Sequence, residues 1–480
     1  MKWKMDRSQN ENLAPEESIS EELSKYKTKT VNGVNPKLQT LLGREQDIYS
    51  HTEVSSSIDS KHLENIRLTE FKNVTNLNIR GKSLGQFPVE IKTLYTLQNL
   101  DVSCNNIVSI PESVFSSLQC LKTLKLSRNK LNELPVTICS LKHLKILNVF
   151  QNNLSYLPED FGQLKSLENL DVSVNNLHSL PPSLEHIFTL YALNVSFNKL
   201  EELPQCIVNL KNLVKLNVSH NRLISFDRML KCCSKLVKLD LSHNNLSLFP
   251  SWLFEDHCMW LKDLNLSYNC RMEASSKTLS FNTSVKYLRK KLLKSLNVSN
   301  CKLTLPMLTF LEGLQGLEVL DLGNEADTGR RCGNVIWVLP SGQLSLSTRL
   351  RKLVICNVGL TEFPEDVKGM MALDVLDLGG NELSFLPASF CKLKNLRRCV
   401  LSRNQLDSLP SDFGQLASLE ELWLDGNKLS TLPDSFAALR MLKILDLYSN
   451  ALCEVPACMK FLPSVQAIDL ELNFIDMEDQ

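Results

Sequence analysis

The sequence predicts an α/β solenoid, a curved horseshoe with about seventeen short parallel strands on its concave face. Two observations carry this. A frame of fixed spacing, L-x-x-L-x-L-x-x-N-x-L-x-x-L-P, recurs along the chain, and eleven of its sixteen intervals are 23 residues. The composition agrees: 43% hydrophobic and 22% charged residues are those of an ordinary soluble protein.

The frame is plainest where Leu121-Lys-Thr-Leu124-Lys-Leu126-Ser-Arg-Asn129-Lys-Leu131-Asn-Glu-Leu134-Pro135 is laid over Leu144-Lys-Ile-Leu147-Asn-Val149-Phe-Gln-Asn152-Asn-Leu154-Ser-Tyr-Leu157-Pro158. Units start at 74, 97, 121, 144, 167, 190, 213, 236, 261, 293, 317, 350, 373, 396, 419, 442 and 465. Leu124 and Leu126 are two apart, so both face one side of a short strand. The ninth slot holds Asn in thirteen of seventeen units, from Asn105 to Asn473. A short amide can satisfy backbone groups where the chain leaves the strand, and stacked asparagines would form a ladder. Leu131, Leu134 and Ile138 are expected to turn inward, and Pro135 favours an extended or tight-turn return over a long helix. One unit cannot bury its own apolar face, so the array over 74–475 is expected to be one quasi-one-dimensional domain.

This pattern resembles the leucine-rich repeat family over most of the chain. The Leu-Pro ending and 23-residue length are similar to the intracellular Ras-suppressor type, carried by scaffolds of the Ras–Raf pathway and by the LAP scaffolds of cell polarity. The resemblance implies a non-catalytic protein-interaction scaffold in signalling, with a small GTPase, kinase or phosphatase as partner. It also admits an innate-immune or pathogen-sensing recognition module, or a regulatory subunit of a protein phosphatase. Arg222-Leu-Ile224-Ser-Phe226 matches the loose pattern of peptides that dock type-1 phosphatase, but Leu223 and Phe226 fall in buried slots.

The frame breaks in the middle. Lys82, Cys301, Glu325 and Val358 stand in the Asn slot, the last three in consecutive units. Two long units, 261–292 and 317–349, make 261–349 the irregular region. Their extra residues include Tyr287-Leu-Arg289-Lys290-Lys291 and Asp327-Thr-Gly-Arg330-Arg331, and they should loop out on the convex or edge side. Residues 1–59 are polar and charged, with Glu16, Glu17, Glu21 and Glu22, and are expected to be a disordered arm. A helical N-cap is expected over 60–73, and an acidic tail over 476–480.

Lys+Arg and Asp+Glu both number 53, so no basic excess points to nucleic acid. No apolar start and no run of about 18 apolar residues appears, so neither a secretory signal nor a membrane span is expected. The fifteen cysteines carry no paired metal-ligand spacing. Reduced thiols and a cytoplasmic, or additionally nuclear, location are expected. Sequons such as Asn194-Val-Ser196 and Asn217-Val-Ser219 fall in one repeat slot, so the repeat itself generates them. No nucleotide, metalloprotease or hydrolase motif occurs, so no cofactor or metal is implied and the chain reads as a non-enzyme. His220 and His243 share one slot in neighbouring units and should stand side by side at the surface.

Slots three, five, seven and eight should face the concave side. Most units hold Asp or Asn at five and Ser at seven, as in Asp171 and Ser173. Departures mark candidate partner-binding residues. Toward the C-terminal side, Val400 and Trp423 break slot five, with Arg398, Arg403, Glu421, Asp425 and Tyr448 around them. An aromatic pair among arginines and acids has the composition of an interface hot spot. Lys125, Arg128 and Phe150 form a second candidate patch.

Overall fold

The computed structural model describes residues 73–475, apart from 227–234, 248–259, 273–291, 306, 309–310, 312–313, 327–331 and 340–347. The expected arm over 1–59, all but the last residue of the cap over 60–73, and the tail over 476–480 lie outside the described residues. So do the basic runs 287–291 and 327–331.

Seventeen three-residue strands, from Asn76–Asn78 to Ala467–Asp469, form one parallel sheet in which each strand pairs with the next in sequence. Equivalent slots sit side by side: Leu124 pairs with Leu100 and Leu147. The register persists across the irregular region, where Leu296 pairs with Leu264 and Leu320, and Leu320 with Leu353. The return side is built of short 3-10 helices, most of them entered from a proline, as Val136–Ser140 is from Pro135 and Asp434–Ala438 from Pro433. A fixed proline φ and a missing N–H suit that entry.

Leu121, Leu124, Leu126, Leu131 and Ile138 are fully buried, and their equivalents continue as one core along the array. The curvature can be read from ring spacings. On the strand side, Phe197, His220 and His243 stack at 3.8 Å between centroids. On the helical side, Phe390, Phe413 and Phe436 stack at 6.2 and 6.0 Å. Parallel strands lie about 4.8 Å apart. Repeats therefore converge on the strand side and splay on the helical side, which makes the strand face concave.

The asparagine ladder follows one scheme. Asn129 Nδ2 donates to the carbonyls of Leu126 in its own unit and Val102 in the preceding one, at 3.0 Å each. Its Oδ1 accepts the N–H of Ile107 at 3.1 Å. Three to five bonds per buried amide, three at Asn129 and five at Asn105, satisfy backbone groups that neither sheet nor helix reaches.

The sequence reading of the irregular region needs a correction. Glu325 does not take the ladder slot of its unit; Asn334 does. Asn334 Nδ2 donates to Val298 O at 2.9 Å and Leu322 O at 2.7 Å, while its Oδ1 accepts from Cys301 N and Leu303 N at 3.0 and 2.9 Å. The extra residues thus interrupt the frame between its eighth and ninth slots, at the exit edge of the strand. Where Val358 replaces Asn, its backbone carbonyl accepts the Ile336 N–H at 3.0 Å. Cys301 remains a true substitution, its thiol 3.1 Å from Leu266 O. A second correction concerns cysteine: Cys270 and Cys332 form a disulfide, with Cα atoms 4.7 Å apart, where reduced thiols were expected.

Candidate functional site

Slot five, which holds Asp or Asn in most units, has a structural duty. Its carboxylate or amide Oδ1 accepts the N–H of slot seven two residues on. Asp171 does so from Ser173 at 3.0 Å, Asn217 from Ser219 at 3.0 Å, and Asp377 from Gly379 at 3.0 Å. Burial pushes the Asp171 and Asp377 carboxyls above the usual carboxylate range, against these same hydrogen bonds. Val400 and Trp423, on adjacent strands, carry no such acceptor and forgo this bond.

The C-terminal patch assembles as the strand alternation requires. Leu422 and Leu424 are fully buried, so Glu421 and Trp423 face the concave side. Trp423 pairs with Val400 on one side and Asp446 on the other. Curvature crowds this row, and Trp423 is half-buried rather than freely exposed. Among the described residues its indole Nε1 is enclosed and has no hydrogen-bond partner. Arg398 Nε lies 3.4 Å from Glu421 Oε2 across the neighbouring strands. The Arg403 N–H donates to Asp425 O at 2.6 Å, and Arg403 itself is exposed. The Asp425 carboxylate accepts from the Ser402 hydroxyl. Tyr448 is half-buried, and its N–H donates to Asp446 Oδ1 at 3.0 Å.

The second patch is separate. Lys125 ends the strand Thr123–Lys125, and the Arg128 guanidinium stands 5.9 Å from the centroid of the Phe150 ring. Twelve strand steps divide it from Trp423, roughly 58 Å along the sheet. The ten candidate residues therefore lie in two separate patches.

A third feature was only half legible. His220 and His243 do stand side by side, but inside a four-ring stack that runs from Phe197 to Tyr268, whose ring is 4.1 Å from that of His243. Burial pushes the His220 pKa down to about 3, helped by the charge of His243. All four residues hold slot eight with φ between 51 and 58°. The shared slot was the available signal. Leu223 and Phe226 are buried, so the phosphatase-docking pattern lies in the core.

Among the described residues, no helix is long and apolar enough to cross a membrane. A family model described as "Leucine-rich repeat region" matches residues 115–275 and 292–428, and one described as "Leucine Rich Repeat" matches 96–118 and 418–439. Among curated proteins, the chain is similar to a probable serine/threonine-protein kinase of Dictyostelium discoideum, 33% identical over 69 residues. That match spans 14% of this chain and only 6% of the kinase. Among solved structures, a leucine-rich repeat protein of Leptospira interrogans is 28% identical with a TM-score of 0.69, over 88% of this chain and 94% of that one. The leucine-rich repeat ectodomain of the membrane receptor kinase GASSHO1/SCHENGEN3 from Arabidopsis thaliana, in complex with Casparian strip integrity factor 2, is 27% identical with a TM-score of 0.56. The likeness covers 85% of this chain and 51% of that one. The functional domain of InlJ from Listeria monocytogenes, 19% identical with a TM-score of 0.57 over 78% of this chain and 73% of that one, shares the fold.

Proposed function

Because the chain belongs to the leucine-rich repeat family, we propose that it is a non-catalytic scaffold whose concave face binds a protein partner. Proteins of this architecture typically present a concave surface to another macromolecule. The observation that carries the reading is the departure at slot five. Val400 and Trp423 give up, on two adjacent strands, an acceptor that other units use to hold the strand exit. The indole left there has an enclosed N–H without a partner, which costs free energy in the isolated chain. A residue that weakens its own strand exit and offers apolar area beside Arg398, Arg403, Glu421 and Asp425 is better suited to a partner than to the fold.

The role in signalling, with a small GTPase, kinase or phosphatase as partner, in the cytoplasm or nucleus, is supported by the resemblance of the repeat to that of Ras-pathway scaffolds. The recognition-module reading has the plant receptor ectodomain, solved with Casparian strip integrity factor 2, on its side. Phosphatase regulation cannot use residues 222–226 as an exposed docking strand, since Leu223 and Phe226 are core.

Capture of partners from cells by full-length protein, with crosslinking and mass spectrometry, tests the reading. The Trp423→Ala and Phe150→Ala variants run alongside. Proteins captured by wild type and lost with Trp423→Ala support it. A partner set unchanged in both variants rejects it.

A further inference from the structure

A weakened rung of the asparagine ladder and a disulfide occur at the same place. In the unit starting at Leu293, Cys301 stands where Asn would bridge two carbonyls and accept an N–H. Its thiol offers one weak donor, between Leu266 O at 3.1 Å and Ser299 O at 3.3 Å. The step from the unit starting at Leu261 is therefore under-bonded. One residue past the ladder Asn269 of that earlier unit, Cys270 is joined to Cys332. Cys332 sits two residues before the ladder Asn334, and its carbonyl accepts the Lys302 N–H at 3.1 Å. At the other end of the same insertion, Glu325 accepts from the Tyr268 hydroxyl. Both ends of the insertion thus return to the unit starting at Leu261, across the unit with the defective rung. The bond closes a sequence separation of 62 residues, and long loops are constrained most by such a link.

We propose that Cys270 and Cys332 form a reversible thiol–disulfide clamp, closed and opened by a glutathione-type couple, that sets the stiffness of the array between the units starting at Leu261 and Leu317. Closing is two exchanges. The Cys270 thiol loses its proton to water, and its thiolate attacks glutathione disulfide, releasing one glutathione. The Cys332 thiolate, its proton likewise lost to water, then attacks the Cys270 sulfur of the mixed disulfide and releases the second. The two cysteines lose two electrons and two protons; glutathione disulfide gains them and becomes two glutathiones. Reduction runs the same steps backward. Both cysteines are half-buried, within reach of a small thiol reagent. The neighbouring thiols compete poorly, because burial pushes Cys301 and Cys356 up to about 12 and keeps them protonated.

The test uses the full chain equilibrated with glutathione disulfide or with dithiothreitol. Thiols are then alkylated for peptide mapping, and backbone hydrogen exchange is followed. The clamp predicts a Cys270–Cys332 peptide under glutathione disulfide, and alkylation of both thiols under dithiothreitol. It also predicts at least threefold faster exchange over 293–304 and 334–339 in the reduced protein. Cys332→Ser should exchange fast in both conditions, and Cys120→Ser, an exposed cysteine elsewhere, should keep the redox response. Alkylation of both thiols after glutathione disulfide, or equal exchange in oxidised and reduced wild type, overturns the proposal.

Discussion

Asn324 and Asn334 hold each other reciprocally: the Asn334 N–H donates to Asn324 Oδ1 at 2.7 Å, and Asn324 Nδ2 donates to Asn334 O at 2.9 Å. Ten residues apart in sequence, they close the base of an insertion and return the chain to the frame. This pair explains how the ladder survives an interruption that the linear pattern reads as a lost rung.

Asn334→Ala should therefore be strongly destabilising. It removes donors to Val298 and Leu322 and leaves the Cys301 and Leu303 N–H groups without their acceptor. Each orphaned buried group costs about 1–3 kcal/mol, so a loss of at least about 3 kcal/mol is expected in urea denaturation. Glu325→Ala should cost less than about 1 kcal/mol, because its bond to Tyr268 is exposed. Equal costs would return the ladder slot to Glu325.

The ring stack predicts a pH dependence. Folded His220 has its pKa pushed down to about 3, from an ordinary value of 6.5. Between those values the unfolded chain binds a proton that the folded one refuses, so stability falls as pH drops from about 6.5 toward 3 and is level above. His220→Phe keeps a ring in the stack and removes the titration. Wild type should lose more melting temperature than this variant between pH 7 and pH 5, and its His220 ring proton shifts should stay constant over that range. A His220 that titrates near 6.5 would contradict the enclosure.

On the helical side, close packing makes a sharp contrast between glycines. A Cβ on Gly414 would lie 1.8 Å from the Ser435 carbonyl oxygen, whereas one on Gly85 meets nothing within 4 Å. Gly414→Ala should cost about 1–3 kcal/mol through forced repacking, and Gly85→Ala less than about 0.5 kcal/mol. Chemical denaturation of both variants decides it; equal stability of the two would mean the helical side yields freely.

Much of the fold was legible because the period survives in residues such as Leu124, Leu126 and Asn129, where each slot has one physical duty. Asn334 was missed because the frame was read as one block. Its second half, Asn334-Val-Ile336-Trp-Val-Leu339-Pro340, stands intact after the insertion. The Cys270–Cys332 link was not legible, since it depends on the path by which an insertion returns. The duty of slot five was not legible because its bond to slot seven is a local backbone contact that composition does not reveal. Trp423 was placed on the right face by alternation, but its partial burial comes from curvature, which single-strand reasoning omits.

The measurement that bears most directly on the scaffold reading is Trp423→Asp, assayed for both folding and partner binding. Aspartate at slot five should supply the acceptor that Asp171 and Asp377 provide in their units, and it removes an indole whose N–H lacks a partner. The account predicts a melting temperature equal to or above wild type. It also predicts a loss of at least about 2 kcal/mol in binding to the partner captured from cells, the range of an aromatic anchor. A variant that melts several degrees lower while binding its partner with unchanged affinity would contradict it, and would make Trp423 a structural residue of the concave row.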